Sequence, residues 1–248
     1  MRHTTLLFFS LAATTPAAAQ ATGHFPPDSL VNTQVIPHNT PVRELLGRMR
    51  GFTMGLGVRC TFCHVGEEGN SLATFDFPSD KKQTKLIARQ MMRMVDEINR
   101  RVDTIPGHAN DDPRVECNTC HRGVHLPEPL SQLIQEAALA GGADSAVRAY
   151  RALHQQYYGR ASYDFGEGSL DQAAFGVARA GKPTDALKLL ALNDESFPAS
   201  ATTAVTRGNI QLQQGDTAAA IAAYRDALRR DSTDNEARGR LARLGQRN

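Results

Sequence analysis

Hydrophobic residues recur with helical spacing along most of the chain. Val42, Leu45, Leu46, Met49 and Phe52 follow the i, i+3, i+4, i+7 steps that place side chains on one helix face. Thr40 as a cap and Pro41 at the first helical position start this helix, and Gly55 and Gly57 stop it. A second stripe, Ile87, Met91, Met94 and Ile98, predicts a helix capped by Ser79 or Asp80 and running to about Val102. Between these helices, Gly66 to Asp80 reads as loop, as does the stretch from Pro106 to Pro113. Only Val31 to Ile36 is β-prone, and with Pro26, Pro27 and Pro37 around it the segment is expected to lie extended as an edge strand.

Beyond Pro127 the pattern turns to alanine-rich helices with an internal period. Gly181 and Gly215 are 34 residues apart, as are Ala186 and Ala220. The last copy carries Gly208, Gly215, Ala220, Tyr224 and Ala227 at its small and aromatic positions and resembles a tetratricopeptide repeat. A weaker copy holds Gly141, Ala146 and Tyr150, with an insertion around Tyr157 to Gly168. Such helix pairs bury their apolar faces by stacking on one another, and the resemblance implies a surface for protein docking or assembly.

With 248 residues, 41% hydrophobic and 22% charged, the chain has room for two modest domains. A formal net charge of +2 gives no footprint for nucleic-acid binding. Residues 1–20 read as a cleavable signal peptide, with Arg2 and His3 at the start, an apolar run from Leu6 to Ala13 and small residues near Ala19. That run is too short to span a membrane, and no later segment is long and apolar enough. A periplasmic or otherwise exported protein is expected.

All four cysteines lie in two pentapeptides, Cys60-Thr61-Phe62-Cys63-His64 and Cys117-Asn118-Thr119-Cys120-His121. Two thiols three residues apart share one helical turn, where they can meet the two vinyl groups of a porphyrin. The histidine that follows reaches the iron from the same side. This is the attachment pattern of c-type haem, so two covalently bound haems are expected, with His64 and His121 as proximal iron ligands. A zinc site from the two pairs would need a far shorter separation, and a thioredoxin-like site would need a βαβ surround that is missing. Aromatic residues make up only 6% of the chain and tryptophan is absent, so porphyrins would contribute much of a small domain's core.

The methionine stripes offer sixth ligands. Met49 lies on the apolar face eleven residues ahead of Cys60, whereas Met54 is rotated away from it. On the second helix, Met91 and Met94 face one seam and either can reach an iron, Met92 is rotated off it, and His108 is a rival in the loop beyond.

The run from Met49 to His64, the segment Ala88 to Met94 with Ile98-Asn99, and Cys117 to Gly123 resemble the haem segments of the photosynthetic reaction-centre cytochrome c subunit family. The resemblance covers Pro41 to Leu126. It implies helix, turn and haem-motif units, with Met49 the axial ligand of the first haem and Met91 that of the second. Four haems and a membrane anchor mark the best-known members; here there are two motifs, and the segment after Asn99 holds no histidine up to Ile105.

The expected fold class is mainly α. A signal peptide (1–20) and an extended segment (21–39) precede a dihaem cytochrome c domain (40–127) and a helical, tetratricopeptide-like repeat domain (128–248). The expected function is electron carriage between redox proteins, with no bond-making chemistry. Two alternatives stand beside it: a dihaem peroxidase-like enzyme with one open haem, and an electron donor to a photosynthetic reaction centre.

Overall fold

The computed structural model describes residues 24–109 and 111–246; the signal-peptide expectation lies outside them. It is α-helical, and among the described residues the only β-pairing is a single bridge between Val65 and Asp76. Val31 to Ile36 forms bends instead of the expected strand. A lone β-prone segment has no ladder partner to satisfy its backbone, so its propensity goes unused. The chain divides into two units, one of residues 1–53 and 58–116, the other of residues 54–57 and 117–248.

In the first unit, α1 (Val42–Leu56, its last residues assigned to the second unit) takes its first helical bond from Leu45 N–H to the Pro41 carbonyl. The short α2 (Cys60–Cys63) follows, then a 3₁₀ turn at Leu72–Thr74 and α3 (Gln83–Val102). The start of α3 corrects the sequence reading. Neither Ser79 nor Asp80 caps it, because the Asp80 carboxylate is taken by Arg89 at 2.9 Å and Lys85 at 3.2 Å.

α3 also inverts the usual burial. Its buried residues are Arg89 and Asn99, while Ile87, Met91 and Met94 are 51, 36 and 46% exposed. In this unit the described hydrophobic residues that are fully buried are Ile36 and Phe75 alone.

The second unit holds α4 (Cys117–His121), α5 (Leu130–Tyr157), α6 (Glu167–Arg179), α7 (Pro183–Ser196), α8 (Ala201–Gln213), α9 (Thr217–Arg230) and α10 (Asn235–Arg243). Gly142, at φ 77° and ψ 176°, breaks α5 into two helices. α6, α8 and α10 end alike, on Gly181, Gly215 and Gly245 in the left-handed region. In each, the N–H after the glycine returns to a carbonyl in the last turn, as Lys182 to Val177, Asp216 to Gln211 and Gln246 to Leu241. Glycine meets that conformation without the Cβ penalty, so a glycine spacing visible in the sequence becomes a repeated helix stop. The starts of α8, α9 and α10 are capped by Ser200, Asp216 and Asp234, whose side chains accept from Thr203, Ala219 and Ala237 N–H.

Two cores fill this unit. One joins α5, α6 and α7 around Leu130, Ile134, Leu170, Leu189 and Leu190, and the other joins α8, α9 and α10 around Tyr224 and Leu241. Tyr224 is fully buried, its ring over Gly208 and its hydroxyl donating to Asn209 Oδ1 at 2.9 Å.

Candidate haem-attachment sites

The first motif forms a single helical turn. Phe62 N–H donates to the Arg59 carbonyl and His64 N–H to the Cys60 carbonyl, both at 2.9 Å, so Cys60, Cys63 and His64 project from one loop of backbone. Both cysteines are free thiols and half-buried. Burial pushes the Cys63 thiol pKa up, and the Lys82 charge works against that rise. The start of α3 holds this turn: the Lys82 ammonium donates to the Thr61 carbonyl, and the Thr84 hydroxyl to the Phe62 carbonyl.

His64 is half-buried, its Nδ1 is enclosed and makes no hydrogen bond, and its ring stands edge-on to Phe77 with centroids 4.9 Å apart. Burial first, and then the Lys85 charge, push its pKa down to about 4. The imidazole is therefore neutral near pH 7, the form that lends a lone pair to a metal. Phe77 is itself positioned by α3, since Lys85 Nζ donates to the carbonyls of Phe77, Pro78 and Ser79 at 2.8, 3.0 and 2.9 Å. Asp80 joins Lys85 to Arg89, and Arg89 reaches the Asn32 carbonyl at 2.9 Å. The Arg89 guanidinium, with Asn32 and Lys85, keeps the Asp80 carboxyl well below the usual range. The sequence reading passed over this cluster, whose partners lie up to 57 residues apart.

Met49 is half-buried on α1 with Val42, Leu45, Leu46 and Phe52, while Met54 is 78% exposed. Met91 and Met94 share the exposed stripe of α3, and Met92 is half-buried. His108 lies between two carboxylates, Nδ1 at 3.1 Å from Asp112 and Nε2 at 3.7 Å from Asp103. Its Nδ1 is thus engaged within its own loop, and a second carboxylate faces Nε2. That loop is closed by Asn99, which donates to the Val115 carbonyl and accepts from Val115 N–H, each at 2.9 Å.

In the second unit, Cys117 to Cys120 again occupy one turn, with His121 closing the helix. His121 Nδ1 lies 3.0 Å from the Val124 carbonyl. A carbonyl can only accept, so Nδ1 carries a proton and donates, the orientation that leaves Nε2 as the nitrogen for a metal. The chain leaves through Arg122 at φ 48° and Gly123 at φ 85°. Gly123 N–H donates to the Gly55 carbonyl at 2.9 Å, and the buried Ser162 donates to the Arg122 carbonyl at 2.7 Å.

The donor chemistry fits haem c. Each motif presents two unbridged thiols on one turn beside a histidine, and the apolar face of α3 lies open to a flat hydrophobic group. Among the described residues no three His, Cys, Asp or Glu side chains converge to hold a bare metal ion.

Comparison with known proteins agrees. Residues 59–161 match the family model described as photosynthetic reaction centre cytochrome C subunit, a match that spans both motifs and runs through α5. The photosynthetic reaction center cytochrome c subunit of Roseobacter denitrificans is 41% identical over 73 residues, 29% of this chain and 18% of that protein. The subunit of the same name from Rubrivivax gelatinosus is 30% identical over 117 residues, 42% of this chain and 30% of that protein. The chain thus spans less than a third of the length of these relatives. No described helix is long and apolar enough to cross a membrane.

Proposed function

We propose that the protein is an exported dihaem c-type cytochrome that passes electrons between redox proteins, with its helical-repeat region serving as the docking or assembly module. The observation that carries this reading is α3, a helix that buries Arg89 and Asn99 and presents Ile87, Met91 and Met94 outward beside free thiols on a single turn. An apolar stripe on an unshielded face calls for an apolar partner, and covalently held porphyrin is the one for which the thiols and histidines are suited.

A haem bound at each motif supplies a one-electron iron couple. Cys60 and Cys63 would tether the first through thioethers, with His64 and Met49 as its axial ligands. Cys117 and Cys120 would tether the second, with His121 as proximal ligand and Met91 as the methionine offered to it. His108 is the weaker rival, because both of its nitrogens already face carboxylates. A soft thioether favours the reduced iron, and two filled axial positions exclude substrate, which suits carriage over catalysis. The repeat architecture resembles tetratricopeptide units, supported by the three glycine stops and by Tyr224 packed on Gly208. Thioether attachment takes place outside the bacterial cytoplasm, which supports the export reading of residues 1–20.

A narrower reading, donation of electrons to a photosynthetic reaction centre, is favoured by the names of the two relatives. Flash oxidation of isolated reaction centres with the reduced protein added tests it: re-reduction of the chlorophyll cation at a rate that rises with protein concentration supports the role, and an unchanged decay opposes it. The broader proposal is tested by the oxidised spectrum, where the weak sulfur-to-iron band near the red edge is expected and its absence contradicts methionine ligation.

A further inference from the structure

Beside the second motif lies an open cleft whose lining includes Met54, Asn118, Arg122, Tyr157, Arg160 and Ser162, with no acidic residue among the described lining. Two arginines, Arg122 and Arg160, are among its lining residues, and both are exposed. Arg122 is also one of three described non-glycine residues at positive φ. Holding an L-residue there costs about 1–2 kcal/mol. Three hydrogen bonds enforce it: Arg122 N–H to Asn118 O at 3.1 Å, Ser162 Oγ to Arg122 O at 2.7 Å, and Gly123 N–H to Gly55 O at 2.9 Å. Glycine would adopt this turn without strain, so the arginine is kept at a cost, at a position that lines the cleft.

We infer that Arg122 and Arg160 form a carboxylate-binding site. Two arginines lining one cleft suit a carboxylate, which guanidinium groups bind through paired N–H donors, and Asn118 and Tyr157 bring neutral donor groups to the same lining. The cleft is built from the same turn that carries His121. The first source of the carboxylate is therefore a propionate of the haem on that motif, and this part of the inference rests on the function proposed above. The second source is a glutamate or aspartate side chain of a redox partner. Either way the site neutralises an anion next to the haem motif, and with a propionate in place the arginines favour the reduced iron.

The test uses the dihaem holoprotein, its R160Q variant, R122Q, and R122K as the charge-retaining control, each checked for two haems per chain and unchanged circular dichroism. Equilibrium redox titration and binding of hexaglutamate are measured on all four proteins. With a propionate in the cleft, R160Q and R122Q shift one Fe(III)/Fe(II) equilibrium toward the oxidised form by about tenfold, or about 59 mV for one electron, and R122K by much less. With a partner's carboxylate there, both potentials stay put and hexaglutamate affinity falls at least fivefold in the glutamine variants. Unchanged potentials together with unchanged hexaglutamate binding in the two-haem R160Q protein overturn the site. A wild-type protein lacking two haems overturns the proposed function instead, a distinct result.

Discussion

Gly57 and Gly123 meet backbone to backbone: a Cβ placed on Gly57 would stand 2.0 Å from the Gly123 carbonyl oxygen. Gly57 is also at φ 64°, so a side chain there meets both a clash and left-handed strain. Replacement by alanine is expected to destabilise the fold by at least about 2 kcal/mol, since the neighbour is backbone and cannot swing aside. Urea unfolding of the Gly57→Ala protein checks this; an unchanged midpoint would show that the contact yields.

Gly208 offers a contrasting case. A glycine inside a helix normally costs about 1 kcal/mol relative to alanine, so Gly208→Ala would ordinarily stabilise α8. Here a Cβ would lie 2.5 Å from the ring of the fully buried Tyr224. The expected outcome is a loss of about 1–3 kcal/mol, read from the thermal or urea midpoint.

Asp171 gives the fold a pH dependence. It is buried among α6, α7 and α8, accepting from Asn193 Nδ2 at 3.1 Å and Thr203 Oγ1 at 3.2 Å, and no ion-pair partner is described for it. Burial outweighs these hydrogen bonds, with Glu167 and Asp194 adding negative charge, and its pKa is pushed up to about 6. A carboxyl whose folded pKa lies above its unfolded value binds its proton more tightly when folded. The resulting penalty is absent below the unfolded pKa, near 3.9, grows as pH rises between the two values, and is complete above about 6. Asp171→Asn is expected to stabilise the protein by about 1–2 kcal/mol at pH 7.5, after allowance for solvent screening, and to gain little at pH 4. Denaturation of both proteins across that range checks the sign, and a gain larger at pH 4 would refute it.

Asn99 closes the loop that ends at Val115, two residues before Cys117. Removing its amide leaves the Val115 N–H and carbonyl without these partners, and Asn99→Ala is expected to cost about 1–3 kcal/mol. The same change should lower haem incorporation at the second motif, seen as a one-haem species in the intact mass spectrum; full loading would argue that the clasp serves stability alone.

Much of this was legible in the sequence, and what escaped has a physical reason. The haem motifs are local patterns, complete within a few residues, so Cys60 to His64 could be read directly, and Gly181 and Gly215 were legible as a 34-residue spacing, though not as helix stops. The stripe Ile87, Met91, Met94 was legible as a face, but its exposure was not, since periodicity marks a shared side without saying what covers it. Asp80 misled because its capping propensity is local, whereas its partner Arg89 lies a helix turn beyond Lys85 and competes with charge. Asn99 with Val115 and Ser162 with Arg122 join residues 16 and 40 positions apart, distances at which one sequence carries no pairing signal. Val31 to Ile36 kept its propensity and lacked a neighbouring strand.

Met49 supplies a sharper test of the sixth ligand. If its sulfur closes the first iron, Met49→Ala opens one haem, and the reduced variant is expected to bind one carbon monoxide per chain where the parent protein binds none. Carbon monoxide binding by the parent protein would favour the open-site enzyme.

The account stands first on the number of covalent haems. The intact mass of the protein, taken from a host with a cytochrome c maturation system, is predicted to exceed the polypeptide mass by two haems, with loss of one in Cys60→Ala/Cys63→Ala and of the other in Cys117→Ala/Cys120→Ala. A mass showing no haem, or one that survives either double substitution unchanged, would contradict it.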